Sequence, residues 1–475
     1  MNGEIVNFLM KHAEKEPVSF HMPGHKGSKI YRENGYSEFL DMIMDCDITE
    51  IPGADNLFQQ EGIIDAAMKK YEELYGVRKS YLLVNGSSGG LIAAIMTATK
   101  AGGKIIAARN CHKSVFNGFS ISGTEPVYAY PKINKEYGIT GEISVDEIIR
   151  LLEQNPETDA VILPSPNYYG ICSDIEAIAQ EVHRRNKILI VDQAHGAHLK
   201  FFEKHCGESG FPKSAESCGA DIVINSTHKT LASFTQSAIL NVCTERVDLN
   251  TLEDKLQIME SSSPSYPMMA SLEINSRLLI SEGKTLIKRW ADNIEYFYEK
   301  ASEIQGLKVM QADGLDRTKI NIDMSAYGIN GNRLEEMLIE KGIFIELVSG
   351  NMVMCMTGIG NVRADYDRLL EALREIAACR EIVVSESEPK QPKALVKIFE
   401  KKAIPTEKVR VPLESAAGLV CAQSIIPYPP GIPIICPGEV LDEELIDYII
   451  ERRREKEKVI GVDKDGMVMV GKAEE

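Results

Sequence analysis

The 475-residue sequence lacks the features that mark membrane, secreted and nucleic-acid-binding proteins. No stretch approaches the ~20 consecutive apolar residues of a membrane-spanning helix, and residues 1–16 contain no signal-peptide core. The ten cysteines stand singly, and the nine histidines form no HExxH motif. Acidic residues outnumber basic ones, 70 to 53, and this balance disfavours nucleic acid and anionic membranes as partners. We therefore predict a cytoplasmic protein without a metal site.

Residues 71–240 alternate short, continuously apolar runs with amphipathic stretches, the pattern of a mostly parallel α/β sheet. The predicted strands are 80–84, 104–108, 125–130, 160–163, 188–191, 222–224 and 238–242. The predicted helices between them include 90–100, 145–153 and 175–185. In such a sheet, ligands bind beyond the carboxyl ends of the strands.

The second half of the sequence predicts a smaller α+β unit. A single helical tract is expected over 271–304, followed by strands near 319–324, 343–348 and 352–356 and helices near 333–341 and 365–378. Residues 385–393 are polar and contain proline, as a linker does. The proline-rich stretch 426–433 is either a rigid surface turn or the wall of a pocket.

Lys229 lies in the segment STHKT at 226–230, which directly follows the apolar run 220–225, so that hydroxyl residues flank it and His228 precedes it. Burial and cationic neighbours lower the pKa of an amine, and a neutral amine forms a Schiff base with an aldehyde cofactor. A lone lysine on a loop is ordinarily solvated. The interpretation of Lys229 therefore depends on what the other strand ends carry.

A glycine- and serine-rich turn, 85–90, lies between a predicted strand and a helix expected to begin near Leu91. The hydroxyls of Ser87 and Ser88, the free backbone amides and the helix N-terminus favour an anion there. The turn has neither GxxxxGK[ST] nor GxGxxG spacing, so it indicates a monophosphate rather than a nucleotide. An ordinary capped turn is the alternative.

Two further strand ends carry polar residues. Asp192 follows the apolar run 188–191, where a carboxylate is costly unless it meets a cation such as a protonated pyridine nitrogen. His112 follows the strand 104–108 and could stack on an aromatic cofactor. A turn-capping aspartate and a structural histidine are the plainer readings. Taken together with Lys229 and the serine turn, however, these residues predict a pyridoxal phosphate site.

The same segments give the chain a resemblance to the ornithine/lysine/arginine decarboxylase family of fold-type-I pyridoxal-phosphate enzymes. The resemblance rests on HMPGHKG at 21–27, RNCHKS at 109–114, DQAHG at 192–196 and STHK at 226–229. Further matches are SPSYP at 263–267, PYPPG at 427–431 and PGE at 437–439. The resemblance spans nearly the whole chain and is to the shorter form, which begins at the N-terminal arm without a response-regulator-like domain.

The resemblance implies a three-layer α/β fold with a mostly parallel sheet and smaller α+β C-terminal domains. The implied divisions are an N-terminal arm at 1–30, a large cofactor-binding domain at 31–305, a small domain at 306–384 and a family-specific domain at 394–475. It also implies at least a homodimer with the active site at the interface. The arm would pack there.

The resemblance assigns roles to individual residues. Lys229 would carry the cofactor, Asp192 would face the pyridine nitrogen, and His112 would stack on the ring, which His195 would also contact. The remaining residues, Ser87, Ser88, Ser226 and His228, would lie near the phosphate. Either His228 or Lys229 would return the proton to Cα after loss of CO₂.

The implied reaction is decarboxylation of a basic L-amino acid to a polyamine precursor, with arginine favoured and lysine or ornithine next. Glu346 and Glu439 are candidate partners for the cationic side chain, although each is more readily a plain surface or interface residue. An aminotransferase on the same fold would need an arginine for the α-carboxylate, and Arg363 and Arg374 remain available for that role. A catalytically inactive regulatory relative is the non-enzyme alternative.

Overall fold

The computed structural model describes residues 3–207, 210–383, 395, 397–428, 431–454 and 457–472. The predicted linker at 385–393 and the residues Pro429 and Pro430 lie outside these ranges. The elements up to residue 302 are, in order, α1 (Glu4–Glu14), β1 (Val18–Phe20), α2 (Lys29–Glu33), α3 (Ser37–Asp41), α4 (Ile63–Tyr75), β2 (Lys79–Leu83), α5 (Gly86–Ala98), β3 (Lys104–Ala108), α6 (Lys113–Ser122), β4 (Glu125–Ala129), β5 (Ile133–Asn134), β6 (Ile139–Thr140), α7 (Val145–Gln154), β7 (Ala160–Pro164), α8 (Ile175–Arg184), β8 (Ile188–Asp192), α9 (Leu199–Cys206), β9 (Ile222–Asn225), α10 (Thr227–Thr230), β10 (Ala238–Val242), α11 (Leu249–Met259), α12 (Tyr266–Ser281) and α13 (Gly283–Ser302). The later elements are β11 (Lys308–Val309), β12 (Lys319–Asp323), α14 (Gly331–Glu340), β13 (Ile343–Ile345), β14 (Leu347–Ser349), β15 (Met352–Met356), α15 (Arg363–Ala378), β16 (Lys408–Pro412), β17 (Ile426–Tyr428), α16 (Glu443–Arg454), β18 (Lys458–Ile460) and β19 (Met467–Gly471).

A seven-stranded sheet in the order β2-β10-β9-β8-β7-β3-β4 forms the centre of the larger part. The strands from β9 to β4 are parallel, and β10 runs antiparallel to both of its neighbours. Along β7 to β10 nearly every residue is buried, including those on alternating faces. Helices therefore cover both faces of the sheet. The predicted α/β fold with a mostly parallel sheet is confirmed.

Two predicted helices differ from the structure. α5 begins at Gly86 rather than near Leu91, so the serine turn forms the first turns of the helix. The tract predicted as one helix over 271–304 is two helices, because the backbone of Glu282 leaves the helical conformation (φ −118°, ψ 0°) immediately before Gly283.

The smaller α+β part contains an antiparallel sheet in the order β11-β12-β15-β14. The single strand predicted over 343–348 is two strands in different sheets. β13 pairs in parallel with β1, so that Val18 lies opposite Ile343, whereas β14 joins β15. Residues 18–20 are thereby hydrogen-bonded to the smaller part.

The C-terminal segment has a small hydrophobic core of its own. Two-stranded sheets, β16–β19 and β17–β18, pack with α16 around Ile435, Leu441 and Ile449, all buried. Ile432 lines a cavity at the carboxyl edge of the large sheet. This described part of the proline-rich stretch is therefore a pocket wall.

Candidate active site

Asp192 is the last residue of β8 and lies at the carboxyl edge of the sheet. The strand register places it beside Pro164 of β7 and Ile224 of β9. Its Oδ1 accepts a hydrogen bond from the amide of Ala194 at 3.1 Å. Burial raises the pKa of the Asp192 carboxyl group, and Lys229 opposes that shift. The carboxylate form thus depends on a nearby cation.

Lys229 lies in α10, which begins directly after β9. Its Nζ is 3.0 Å from Nε2 of His195, in the loop that follows Asp192. Burial lowers the pKa of the Lys229 amine, while the carboxylates of Asp192 and Glu346 raise it. Burial, followed by Lys229, lowers the pKa of His195 well below its usual value. The site therefore holds an amine with a depressed pKa beside a neutral imidazole.

The serine turn lies next to this pair. Ser87, in the first turn of α5, accepts a hydrogen bond of 2.8 Å from the Ser226 hydroxyl, and it lines the cavity. Ser226 is buried behind it, whereas Ser88 is exposed and is not part of the cavity wall. Glu260, which the sequence did not indicate, accepts from the amides of Val84 and Asn85 at 2.8 and 2.9 Å. It holds the backbone that leads into the turn.

His112 caps α6 and faces the same cavity. Its Nδ1 accepts from the amide of Ser114 at 3.3 Å and lies 2.9 Å from the Ser114 hydroxyl. Burial, followed by Lys229, lowers the pKa of His112 to about 3. The neutral ring therefore carries its proton on Nε2. The C-terminal segment touches this ring at Gly431, whose carbonyl accepts from the amide of Lys113 at 3.0 Å.

His228 precedes Lys229 but does not line the cavity. Its Nδ1 donates to the carbonyl of Ser237 at 2.8 Å. Burial, followed by Lys229, lowers the pKa of His228 to about 4. Its Nε2 is therefore a proton acceptor near neutral pH.

Tyr168 is a cavity residue that the sequence analysis missed. Its ring lies 4.5 Å from the His195 ring, and its hydroxyl lies 3.2 Å from Oε1 of Glu346. The other oxygen of Glu346 accepts from the amide of Met22 at 3.0 Å. Burial raises the pKa of Glu346. The run Pro164-Ser165-Pro166 after a buried strand was the available signal, since it marks another strand end at this edge.

Glu439, the other candidate for the substrate side chain, is engaged elsewhere. Its Oε2 lies 3.3 Å from Nη2 of Arg109 and accepts from the amide of Cys436 at 2.7 Å. Both charged side chains are almost wholly buried, and neither lines the cavity. The expectation that Glu439 could meet the substrate is wrong for this chain as folded, because its carboxylate neutralises a buried guanidinium.

The cavity at the sheet edge brings together most of the predicted site residues. Its walls are formed by Ser87, Leu91, Asn110, His112, Pro164, Pro166, Tyr168, Asp192, Ala194, His195, Lys229 and Ile432. Among the described residues, Asn110 Oδ1 and His195 Nδ1 are buried without a hydrogen-bond partner. Unpaired buried polar atoms, hydroxyls at a helix N-terminus, a strand-end carboxylate and an amine of lowered pKa fit an aromatic, phosphorylated aldehyde.

The fold belongs to the class of fold-type-I pyridoxal-phosphate enzymes. A crystal structure of the Francisella novicida lysine decarboxylase LdcF superposes with a TM-score of 0.75 at 21% identity, covering 94% of this chain and 78% of that one. A solved structure of SPT with PLP gives a TM-score of 0.52 at 12% identity, covering 66% and 77%.

The chain belongs to the Orn/Lys/Arg decarboxylase family. The major domain of that family matches residues 4–322, and its C-terminal domain matches residues 385–470. The arginine decarboxylase of Bacillus subtilis (strain 168) is 33% identical over 460 residues, which cover 93% of this chain and 92% of that protein. The protein is therefore an amino-acid decarboxylase.

No described helix is both long and apolar enough to cross a membrane.

Proposed function

We propose that this protein is a pyridoxal-phosphate-dependent decarboxylase that converts L-arginine to CO₂ and agmatine, a polyamine precursor. The observation that carries the proposal is the convergence of Lys229 and Asp192 on one cavity, with His195 3.0 Å from the lysine amine. Lysine and ornithine are the next candidate substrates. The nearly full-length 33% identity to an arginine decarboxylase, against 21% to a lysine decarboxylase, supports this order.

The cavity residues would hold pyridoxal phosphate in one orientation. Lys229 would form the covalent link and Asp192 would pair with the pyridine nitrogen, while His112 and His195 would contact the ring. Ser87 would meet the phosphate with Ser226 bonded behind it, and His228 and Ser88 are assigned to that end by resemblance. When bound, the cofactor supplies an electron sink for the pair left on Cα as CO₂ departs.

The chain's own groups prepare this reaction in three ways. The depressed pKa of Lys229 keeps its amine nucleophilic, because burial disfavours the ammonium form. The apolar walls formed by Leu91, Pro164 and Ile432 would exclude water from the reacting centre. Lys229 lines the cavity and His228 does not, so we assign the return of the proton to Cα to the Lys229 amine.

Glu346 lies behind the cavity wall, where it is bonded to the lining residue Tyr168, and it is the group we assign to the cationic end of the substrate. Its carboxylate is fixed by Met22 and Tyr168 and interacts electrostatically with Lys229 across the site. A guanidinium matches a carboxylate with two parallel hydrogen bonds, which an ammonium cannot form.

The two candidates for the carboxylate-binding arginine of an aminotransferase are engaged outside the cavity. Arg363 donates to Asn293 Oδ1 at 2.8 Å and stacks 3.7 Å from the Tyr296 ring centroid. Arg374 lies 3.7 Å from the Glu303 carboxylate. The retention of Lys229 and Asp192 in one cavity likewise disfavours an inactive relative.

We also propose that the chain acts as at least a homodimer in the cytoplasm. Helix α1 supports the dimer, because it exposes Ile5, Phe8 and Leu9 without burying any residue. Contiguous apolar surface of this kind is typical of interfaces.

The net charge of −17 is unfavourable for nucleic-acid partners.

The test is to incubate the purified, cofactor-loaded chain separately with arginine, lysine and ornithine and to measure CO₂. We expect arginine to give the highest kcat/KM without any added keto acid. Lys229→Ala should abolish both CO₂ release and the visible absorption of the bound cofactor. Turnover that requires a keto acid, or a colourless wild-type protein, would overturn the proposal.

A further inference from the structure

A second cluster of charged side chains lies behind the candidate active site. Asp316, Lys319 and His198 are fully buried, and Asp316 contacts both of the others. Lys319 Nζ is 2.7 Å from Asp316 Oδ2, and His198 Nε2 is 3.2 Å from the same carboxylate. Burial would raise the pKa of Asp316, yet Lys319 and His198 hold it below its usual value. The cluster therefore contains a buried ion pair.

Lys319 connects this cluster to the site. It begins β12 in the smaller part, and its Nζ also donates to the main-chain carbonyl of His195. The ring of His195 in turn contacts the Lys229 amine at 3.0 Å. The Lys229 amine contacts Nε2 of the His195 ring and Lys319 contacts the His195 carbonyl, whereas Nδ1 of the ring has no hydrogen-bond partner among the described residues.

We propose that Lys319 is a positioning residue of the active site: its ammonium group, held by Asp316, fixes the His195 carbonyl and so sets the His195 ring against the Lys229 amine. The assignment of Lys229 as the cofactor lysine rests on the proposed function. The contact between Lys319 and His195, and the effect of Lys319 on the pKa of the Lys229 amine, are independent of the proposed function.

The cost of the cluster favours a functional role over a purely structural one. Replacing a buried ion pair by apolar residues of similar volume is often neutral or stabilising, so burial of three titratable groups adds little to fold stability. The loop after β8 leaves the sheet at Asp192, and its backbone needs other partners to hold His195 in place. Lys319 supplies one from a different part of the chain.

The position of Lys319 also affects the ionisation of its neighbours. Burial is the main cause of the lowered pKa of Lys229 and of His195, and the charge of Lys319 lowers both further. Asp192 and Glu346 act on Lys229 in the opposite direction. Other titratable groups around the amine are His112, His195 and His228.

The test measures the ionisation of Lys229 directly. The full chain, freed of cofactor, is acylated with acetic anhydride across a pH series, and modification of the Lys229 peptide is quantified by mass spectrometry. In Lys319→Met, we expect the midpoint of the pH dependence to move to higher pH and the rate at pH 7 to fall about threefold or more. The double variant Lys319→Met/Asp316→Asn removes the whole ion pair. Its midpoint should also move to higher pH, and it should fold more stably than Lys319→Met alone.

The matched control is Lys187→Met. Lys187 is also buried and donates to main-chain carbonyls, including that of Pro156 at 2.7 Å, but it lies at the opposite end of β8. Its replacement should leave the midpoint for Lys229 unchanged. A folded double variant with the wild-type midpoint, or one shifted to lower pH, overturns the role of Lys319. If the proposed function alone fails, the result is different: the Lys319 variants still shift the midpoint for Lys229, but the wild-type protein shows no cofactor absorption.

Discussion

Nη2 of Arg109 lies 3.3 Å from Oε2 of Glu439, and this buried pair joins the strand end that precedes His112 to the C-terminal segment. Arg109 also donates to the carbonyls of Pro433 and Ile434 at 2.6 and 3.2 Å. The same segment supplies Ile432 to the cavity wall. The C-terminal part is therefore integral to the site.

Glu439→Ala should strongly destabilise the protein. The substitution leaves the guanidinium of Arg109 buried without a counter-charge, which typically costs ~3–5 kcal/mol. The measurement is the free energy of unfolding in urea. Glu336→Ala is the control, because Glu336 forms an exposed ion pair with Arg333 at 2.8 Å, worth ~1 kcal/mol or less. Equal losses in the two variants would contradict the role of the buried pair.

Gly431→Ala should disturb the site through the His112 ring. A Cβ at Gly431 would lie 3.2 Å from two atoms of that ring, at a backbone φ of +82°. Crowding of this kind costs ~1–3 kcal/mol, so we expect cofactor to be retained about tenfold more weakly. The measurement is cofactor affinity by absorbance titration.

Gly418→Ala separates crowding from backbone strain. Gly418 has a similar φ of +77°, but a Cβ there meets no atom within 4 Å. Gly418→Ala should lose only the stability that backbone strain costs, Gly431→Ala should lose more because of the added crowding, and cofactor affinity should fall in Gly431→Ala alone. Parallel losses of affinity would show that the His112 contact is unimportant.

The central sheet could be predicted because its strands are continuous apolar runs. Strands β3 and β10 have the predicted bounds, Lys104–Ala108 and Ala238–Val242. The start of α5 was mispredicted because Gly86 and Ser87 have low helix propensity. The packing of that helix against the sheet and the hydrogen bonds to Glu260 outweigh this local preference.

Within the site, residues at strand ends could be predicted and residues from distant loops could not. Asp192 ends one strand and Lys229 follows the adjacent parallel strand, so their proximity is a consequence of the topology. Ile432 and Lys319 reach the region from the C-terminal segment and the smaller sheet. Their positions depend on tertiary packing between parts of the chain, which no local pattern encodes.

Glu260 should make stability depend on pH. Burial raises the pKa of its carboxyl group from 4.5 to about 7, so the folded state favours the protonated form. This contribution is fully present below pH 4.5 and is lost as the pH rises through about 7. The loss amounts to roughly 3 kcal/mol by linkage.

Glu260→Gln removes that titration and keeps an oxygen that can accept from Val84 or Asn85. Urea unfolding at pH 5 and pH 8 should show the variant gaining stability relative to wild type at the higher pH. The exposed Glu414→Gln is the control and should show no such change. A constant difference between Glu260→Gln and wild type at both pH values would refute the prediction.

Glu346→Gln should weaken recognition of the basic side chain while preserving the fold. The amide oxygen can still accept from the Met22 amide or the Tyr168 hydroxyl, but the negative charge is gone. A charge-assisted hydrogen bond contributes ~1.5–3 kcal/mol, so kcat/KM for arginine should fall roughly 10- to 100-fold, mainly through KM. Steady-state CO₂ release measures both constants, and the exposed Glu340→Gln is the control. An unchanged KM for arginine would exclude Glu346 from contact with the substrate, because a lost ionic contact in the ground-state complex must weaken binding.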